Sequence, residues 1–435
     1  MKLETKKVEL SDGLSAMIRA FQLEPLDDEA IYAEFYHNNT MSIRMGYEGD
    51  SPVDNLFDDC TTPLGINAHL FSGHRGCGKS TELFDLKRRL ENGGHPVCMI
   101  RCESEMNLNL ADCWDVMLFI SEGLYRIIKE YGLPVNDAPL LDLFDYIRQD
   151  VEVTDEITNA KNFNMGIALN LFASIKGGLQ MGDTQRTTIR EKMERRGSEW
   201  KRYVDEISAR ITDEMNGKQP ILIFEDFDKI IPSERALDIF RYDTLGKMPF
   251  PIIYTFPIDQ TYNFRFNSIK GLYKVHVLPM IKVSNMDRSR NDEGIRVIRE
   301  IIGKRADLQL FEPKALEILI EKTGGVLRHL FECIITASRI ANRRDGEKIG
   351  VEDVNRATSS LASMLSRFIS MADNHVLANI YNEIKYRAQI ESSISVLGYM
   401  HGLVVLEYQN GERWHDLHPL IADFLRKRGE LGGNN

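Results

Sequence analysis

Short unbroken apolar runs alternate with stretches of helical spacing along the first two thirds of this chain. Ala68–Ser72, Val97–Cys102, Ile221–Phe224, Pro251–Thr255 and Val275–Pro279 read as buried strands. A strand covered on both faces needs no polar alternation. Between the first two runs, Leu83, Phe84, Leu86 and Leu90 recur at helical spacing, and Asn92-Gly93-Gly94 ends that helix. A second helix is predicted from about Leu110 to Tyr131, stopping at Gly132 and Pro134. Strand, helix, strand, helix predicts an α/β fold: a parallel sheet with right-handed crossovers and helices on both faces.

The pattern changes twice further on. Residues 291–370 are helical throughout, with candidates over 292–303, 313–322, 326–342 and 351–367. Residues 375–426 read as helix, helix, hairpin, helix, with Asn410-Gly411 as the hairpin turn. That is a winged-helix pattern, whose second helix falls near Ser392–His401. The expected divisions are a mixed N-terminal segment (1–55), an α/β domain (56–285), a helical lid (286–370) and a winged helix (371–435). Within the α/β domain, 135–185 reads as an insertion. Phe163, Met165, Ile167, Leu169, Leu171, Ala173 and Ile175 alternate with period two, which predicts an amphipathic strand or hairpin.

The junction of the first strand and helix carries chemistry. Gly73-His74-Arg75-Gly76-Cys77-Gly78-Lys79-Ser80-Thr81 fits the phosphate-binding loop G-x-x-x-x-G-K-[ST] without a mismatch. Glycines let the backbone bend and aim N–H groups at phosphate oxygens. Lys79 is placed for the β- and γ-phosphates and the Ser80 hydroxyl for Mg²⁺. The helix that begins near Gly78 adds its positive end. The N-terminal segment leads straight into this loop, so it is expected to cover the nucleotide base.

A second set of groups ends the middle strands. Glu225-Asp226-Phe227-Asp228 follows Ile221–Phe224. This is the Walker B position, with Glu225 where Asp is usual. Glu225 is the expected partner of Ser80 on Mg²⁺, and Asp226 the carboxylate that polarises water for in-line attack. Asp228 is left to support the loop or meet a neighbour. Thr255 ends its strand where a hydroxyl can sense the γ-phosphate. Arg235 and Arg241 are open either as arginine fingers for a neighbouring subunit or as surface ion pairs.

Composition narrows the class. The chain has 435 residues, 43% hydrophobic and 27% charged, with a net charge of −11. A wholly basic nucleic-acid coat protein is excluded, but a basic patch is not. Arg186–Arg202 holds seven bases against three acids, either a solvated helix face or a polyanion contact. The helix at Ser392–His401 carries no Arg or Lys, and phosphate neutralisation needs them. DNA is therefore a possible partner but not the favoured one. No secretory signal or membrane span is expected, and the expected compartment is the cytoplasm. The six cysteines form no C-x-x-C pair and read as buried thiols.

Two further segments carry a resemblance. Thr323-Gly324-Gly325-Val326-Leu327-Arg328 resembles the sensor 2 signature of AAA+ ATPases, in which the arginine at the position of Arg328 reaches the γ-phosphate. Trp414-His415-Asp416-Leu417-His418-Pro419 resembles the winged-helix histidine segment of STAND NTPases. There a histidine contacts the β-phosphate of bound ADP, and either His415 or His418 fits. From about residue 60 to 426 the chain is similar to STAND-type and replication-initiator-type AAA+ proteins. The resemblance implies ATP rather than GTP, Mg²⁺, and slow ATP hydrolysis that switches assembly with a homo-oligomer or a separate effector protein. It also suggests a setting in prokaryotic regulation or antiviral (phage) defence. Sensing or effector output would need another polypeptide. A DNA-loaded ATPase of the initiator or transposition-regulator kind, and a nucleotide-bound scaffold without turnover, remain alternatives.

Overall fold

The computed structural model describes residues 7–23, 25–37, 40–46, 51–62, 65–136, 138–148, 183–390 and 392–431. The period-two stretch at 163–175 lies outside them. Five strands form one sheet: β1 (Ala68–Ser72), β2 (Val97–Arg101), β3 (Ile221–Glu225), β4 (Ile252–Phe256) and β5 (Lys274–Val277). Their order is β2-β3-β4-β1-β5, and every pairing is parallel. All residues of β1, β3 and β4 are buried, as their unbroken apolar runs predicted.

The order decides the site. β4 lies between β1 and β3, so its carboxyl end separates the loop after β1 from the acids after β3. Phe71 of β1 is level with Thr255 of β4, and Phe224 of β3 with Tyr254. Ligands in open parallel sheets bind at such carboxyl ends.

Two boundaries differ from the sequence reading. β2 stops at Arg101, because Cys102 opens a short helix, Cys102–Glu105. The next helix begins at Cys113, not Leu110, because the Asp112 carboxylate accepts from the backbone N–H groups of Trp114 and Asp115 and caps it.

Helices cover both faces of the sheet. Cys113–Glu130 and Gly197–Glu214 bury one face, with Trp200, Val204 and Ile207 in its core. Pro52–Thr61 and Lys79–Asn92 cover the other. The lid consists of Asp292–Arg305, Pro313–Thr323, Leu327–Arg343 and Val351–Leu365. The winged helix follows, with helices Asn374–Asn382, Ile384–Ala388 and Ile394–His401, hairpin β6 (Val405–Asn410) and β7 (Glu412–Leu417), and helix Pro419–Lys427. Gly411 turns the hairpin at φ +71°.

The lid and winged helix share one apolar core, which also takes Leu14, Met17 and Phe21 of the N-terminal segment. The wing reaches further: Leu406, Tyr408 and Trp414 join the core beneath the phosphate loop. The hairpin tip is covered, since the Gly411 N–H donates to the Met45 carbonyl (3.0 Å) and Lys282 Nζ to the Gln409 carbonyl (2.6 Å).

The basic stretch is largely engaged within the chain. Arg190 pairs with Asp112 (2.6 Å) and Asp115 (2.8 Å), and Lys192 donates to the Tyr146 carbonyl (2.8 Å). All six cysteines are buried and unpaired. Among the described residues no helix is long and apolar enough to cross a membrane.

Candidate nucleotide site

A cavity of about 650 Å³ opens where the sheet, the lid and the N-terminal segment meet. Its floor is the phosphate loop. Helix Lys79–Asn92 starts directly after Gly78, which takes φ +108° and needs no Cβ there. Gly76 has φ +76°, and a Cβ on it would lie 2.4 Å from the Arg328 Cβ. The loop therefore admits the lid only because residue 76 is glycine.

The loop's charges are held in an internal network. Lys79 Nζ donates to the Gly73 and His74 carbonyl oxygens (2.8 and 3.0 Å) and pairs with Asp228 (2.9 Å). Burial alone would raise the Asp228 carboxyl, but Lys79 beside it holds it below the usual carboxylate range. Arg75 donates from Nε to the Asp228 carbonyl (3.4 Å). Asp228, left undefined by the sequence, is thus the counter-charge of the loop lysine.

Glu225 and Thr255 contrast with that network. Each has a buried oxygen, Glu225 Oε2 and Thr255 Oγ1, without a hydrogen-bond partner among the described residues. Burial pushes the Glu225 carboxyl up, while a hydrogen bond with Ser80 and the Arg101 guanidinium 3.6 Å away work against it. Buried polar atoms are rarely left unbonded, and these two belong to residues that line the cavity, where a ligand can satisfy them. Asp226 has φ +81°, a strained value for a side-chain-bearing residue. It accepts from the Glu103 N–H (3.1 Å) and pairs with Lys229 (2.7 Å). These observations fit a Mg²⁺-bound polyphosphate: a glycine cradle, a lysine over it, and Ser80 beside an incompletely bonded carboxylate.

The lid and N-terminal segment supply groups that the sequence did not single out. Arg44, fully buried, donates to the carbonyls of Cys77 (2.8 Å) and Pro279 and so ties the loop to the strand end. Arg305 lies 5.1 Å from the Phe35 ring and 4.7 Å from that of Phe331, and burial pushes its guanidinium down to about 10. Tyr36 donates to Glu82, whose carboxyl burial raises to about 7. Arg44, Arg305, Tyr36, Pro25 and Leu26 all line the cavity. No local motif announces them; only their fold position brings them to the loop.

Of the residues expected from sequence, Arg75, Gly76, Gly78, Lys79, Ser80, Thr81, Glu225, Asp226, Thr255 and Arg328 line this cavity together. Gly73 and Cys77 belong to the loop but turn toward Leu278. The histidines require correction. His415 meets the Arg387 carbonyl (3.2 Å) and the Tyr262 hydroxyl (3.0 Å), away from the cavity. His418 Nδ1 accepts from the Leu420 N–H (3.2 Å), which leaves Nε2 to donate to His329 Nδ1 (3.0 Å). Both rings are fully used in holding the wing and its last helix. The histidine that joins loop and wing is instead His74: its Nε2 accepts from the Glu407 N–H of β6 at 2.7 Å.

No protein-family model and no curated protein matches this chain. Among solved structures, the chain is similar to the Walker-type ATPase of Pyrococcus abyssi (10% identity, 94% of this chain and 99% of that one, TM-score 0.45). It is also similar to the ORC2 protein of Aeropyrum pernix (13% identity, 86% and 93%, TM-score 0.41). A third is Cdc6p of Pyrobaculum aerophilum (11% identity, 87% and 93%, TM-score 0.37). These likenesses assign no role to any residue here. The chain's own layout is a phosphate loop after β1, the parallel sheet in the order above, a helical lid and a winged helix: a P-loop α/β fold with two appended modules.

Proposed function

We propose that this protein is an ATP-binding and ATP-hydrolysing switch in which the nucleotide state governs docking of the winged helix on the phosphate loop. The observation that carries the reading is the 2.7 Å hydrogen bond from the Glu407 N–H to His74. His74 lies within the loop that cradles phosphate, so rearrangement of that loop is felt directly by β6.

The residues take these parts. Lys79 exchanges its loop carbonyls and Asp228 for phosphate oxygens. Ser80 and Glu225 would hold Mg²⁺, which would supply charge neutralisation for the phosphate chain. Asp226 accepts the proton of the attacking water, and Thr255 orients that water or the γ-phosphate. Arg328, whose N–H donates to the Gly76 carbonyl (3.3 Å), couples the γ-phosphate to the lid. Arg305 and the two phenylalanines close the far end around the base.

What the released winged helix meets follows two readings. The first is a protein partner or a second copy of this chain. The covered hairpin tip and the base-free helix Ile394–His401 favour it, with Ile394 83% exposed at that helix's start. The second is duplex DNA, as in the initiator kind of ATPase, and the exposed end Arg426-Lys427-Arg428 favours that. One experiment addresses both. Hydrogen exchange across β6 is compared with an ATP analogue and with ADP, alongside anisotropy of labelled duplex DNA at low and physiological salt. A difference at the Glu407 amide between nucleotides supports the switch; identical exchange in both states rejects it. Duplex binding only with the ATP analogue, weakening steeply with salt, selects the DNA reading.

A further inference from the structure

On the face of β1 that packs against helix Pro52–Thr61, two imidazoles and a carboxylate converge. His69 of β1 is fully buried, His276 of β5 nearly so, and Asp59 reaches down from the helix. His69 Nδ1 and His276 Nε2 are 3.3 Å apart, and His276 Nε2 is 3.5 Å from Asp59 Oδ2. One ligand-type atom from each residue lies within 4.8 Å of the others. Around a tetrahedral ion with bonds of about 2.0–2.1 Å, neighbouring ligand atoms are roughly 3.3 Å apart. Two of the three edges already have that length.

We propose that Asp59, His69 and His276 form a binding site for one divalent transition-metal ion of the zinc type, separate from the nucleotide cavity. Three lone-pair-bearing atoms face one another here, and a single proton between two of them leaves the third uncompensated. A cation at the centre satisfies all three. Two nitrogens and one oxygen select zinc-like ions over Mg²⁺ or Ca²⁺, which take oxygen ligands. His69 Nε2 has no hydrogen-bond partner among the described residues, so the ring is free to keep its proton there and present Nδ1. Lys274 Nζ holds the other Asp59 oxygen, Oδ1, at 2.6 Å and so fixes the carboxylate with Oδ2 inward, as an outer-shell partner does. His276 borders a cleft between β5 and the wing. Such an ion would fasten the edge strand β5 and helix Pro52–Thr61 to β1, the strand that delivers the phosphate loop.

The full chain, stripped by a chelator and free of nucleotide, is titrated with Co²⁺ alone. One equivalent should give the visible absorption of a tetrahedral cobalt site, which Zn²⁺ then displaces. His276→Gln should abolish the band. Asp59→Asn should weaken Co²⁺ binding beyond the roughly 10–100-fold that loss of an outer-shell partner costs. Circular dichroism checks folding, and if His276→Gln does not fold, Asp59→Asn, at a position 20% exposed and nearly isosteric, is the deciding variant. Absence of the band at stoichiometric Co²⁺ overturns the site. So does a faint octahedral spectrum unchanged in the variants, which would place the ion at Ser80 and Glu225.

Discussion

The phosphate loop and the wing meet through the Glu407–His74 hydrogen bond and a shared apolar core, yet they are built by opposite means. Around the loop, Glu225 Oε2 and Thr255 Oγ1 are buried without a hydrogen-bond partner among the described residues, and Asp226 holds a strained backbone angle. In the wing, His415 and His418 bond through both ring nitrogens. Unbonded groups that line the cavity leave capacity for a ligand, whereas the two wing histidines spend theirs on the fold. A polar residue's type says little about which it is. Its partners decide.

The sharpest way to break this contrast is on the loop side. Asp226→Asn should lower ATP turnover by about 10²–10⁴-fold, the usual worth of a positioned general base. Affinity for an ATP analogue should change little, because the role proposed for Asp226 is toward the attacking water and not the phosphate chain. Steady-state hydrolysis and analogue binding measured on the same variant test both halves. Wild-type turnover would remove Asp226 from the catalytic role and move it to Glu225 or Asp228.

The same contrast explains what was legible. The loop could be read because its chemistry is dictated by local backbone spacing: Gly76, Gly78, Lys79 and Ser80 are neighbours in sequence and in space. Strand order was not legible, and it is the insertion of β4 between β1 and β3 that brings Thr255 beside the acids. Arg44 and Arg305 were silent, since they arrive from segments 33 residues before Cys77 and across the lid, with no pattern around them. The wing histidines failed for a related reason. His418 finds its partner His329 89 residues earlier, a contact that motif likeness cannot see.

A smaller effect separates the two regions by pH. Burial pushes His329 of the lid and His415 of the wing down to about 4, and His418 well below its ordinary value, so all three favour the neutral form in the folded chain. In the unfolded chain they take up protons near pH 6.5. Below that pH the unfolded state binds more protons, so stability is full above about pH 6.5 and is lost as pH falls toward 4. Glu82 at the loop works in the other sense: its raised carboxyl favours the folded state at low pH and loses that contribution as pH rises through about 7. Urea unfolding followed at Trp414 should therefore show a midpoint that drops between pH 6.5 and 4. His418→Gln, which keeps a polar group but does not titrate, should flatten the drop. An unchanged slope in that variant would mean that His418 is not held neutral.

The smallest expected effect tests the contact itself. His74→Ala removes the acceptor of the Glu407 N–H while leaving the backbone of the loop in place. One hydrogen bond contributes about 0.5–1.5 kcal/mol net, and an N–H left buried without a partner costs about 1–3 kcal/mol. A shift of 1.4 kcal/mol is roughly tenfold in an equilibrium. The wing should thus open on the order of tenfold more often, read as faster exchange of the β6 amides without nucleotide. Nucleotide affinity should stay close to wild type, since the His74 ring points into the wing and not into the cavity. If the wing is held only by its apolar core of Leu406, Tyr408 and Trp414, exchange will not change, and the hydrogen bond is a bystander. If exchange rises while the difference between ATP analogue and ADP disappears, His74 is the residue through which the loop reports its state to the wing.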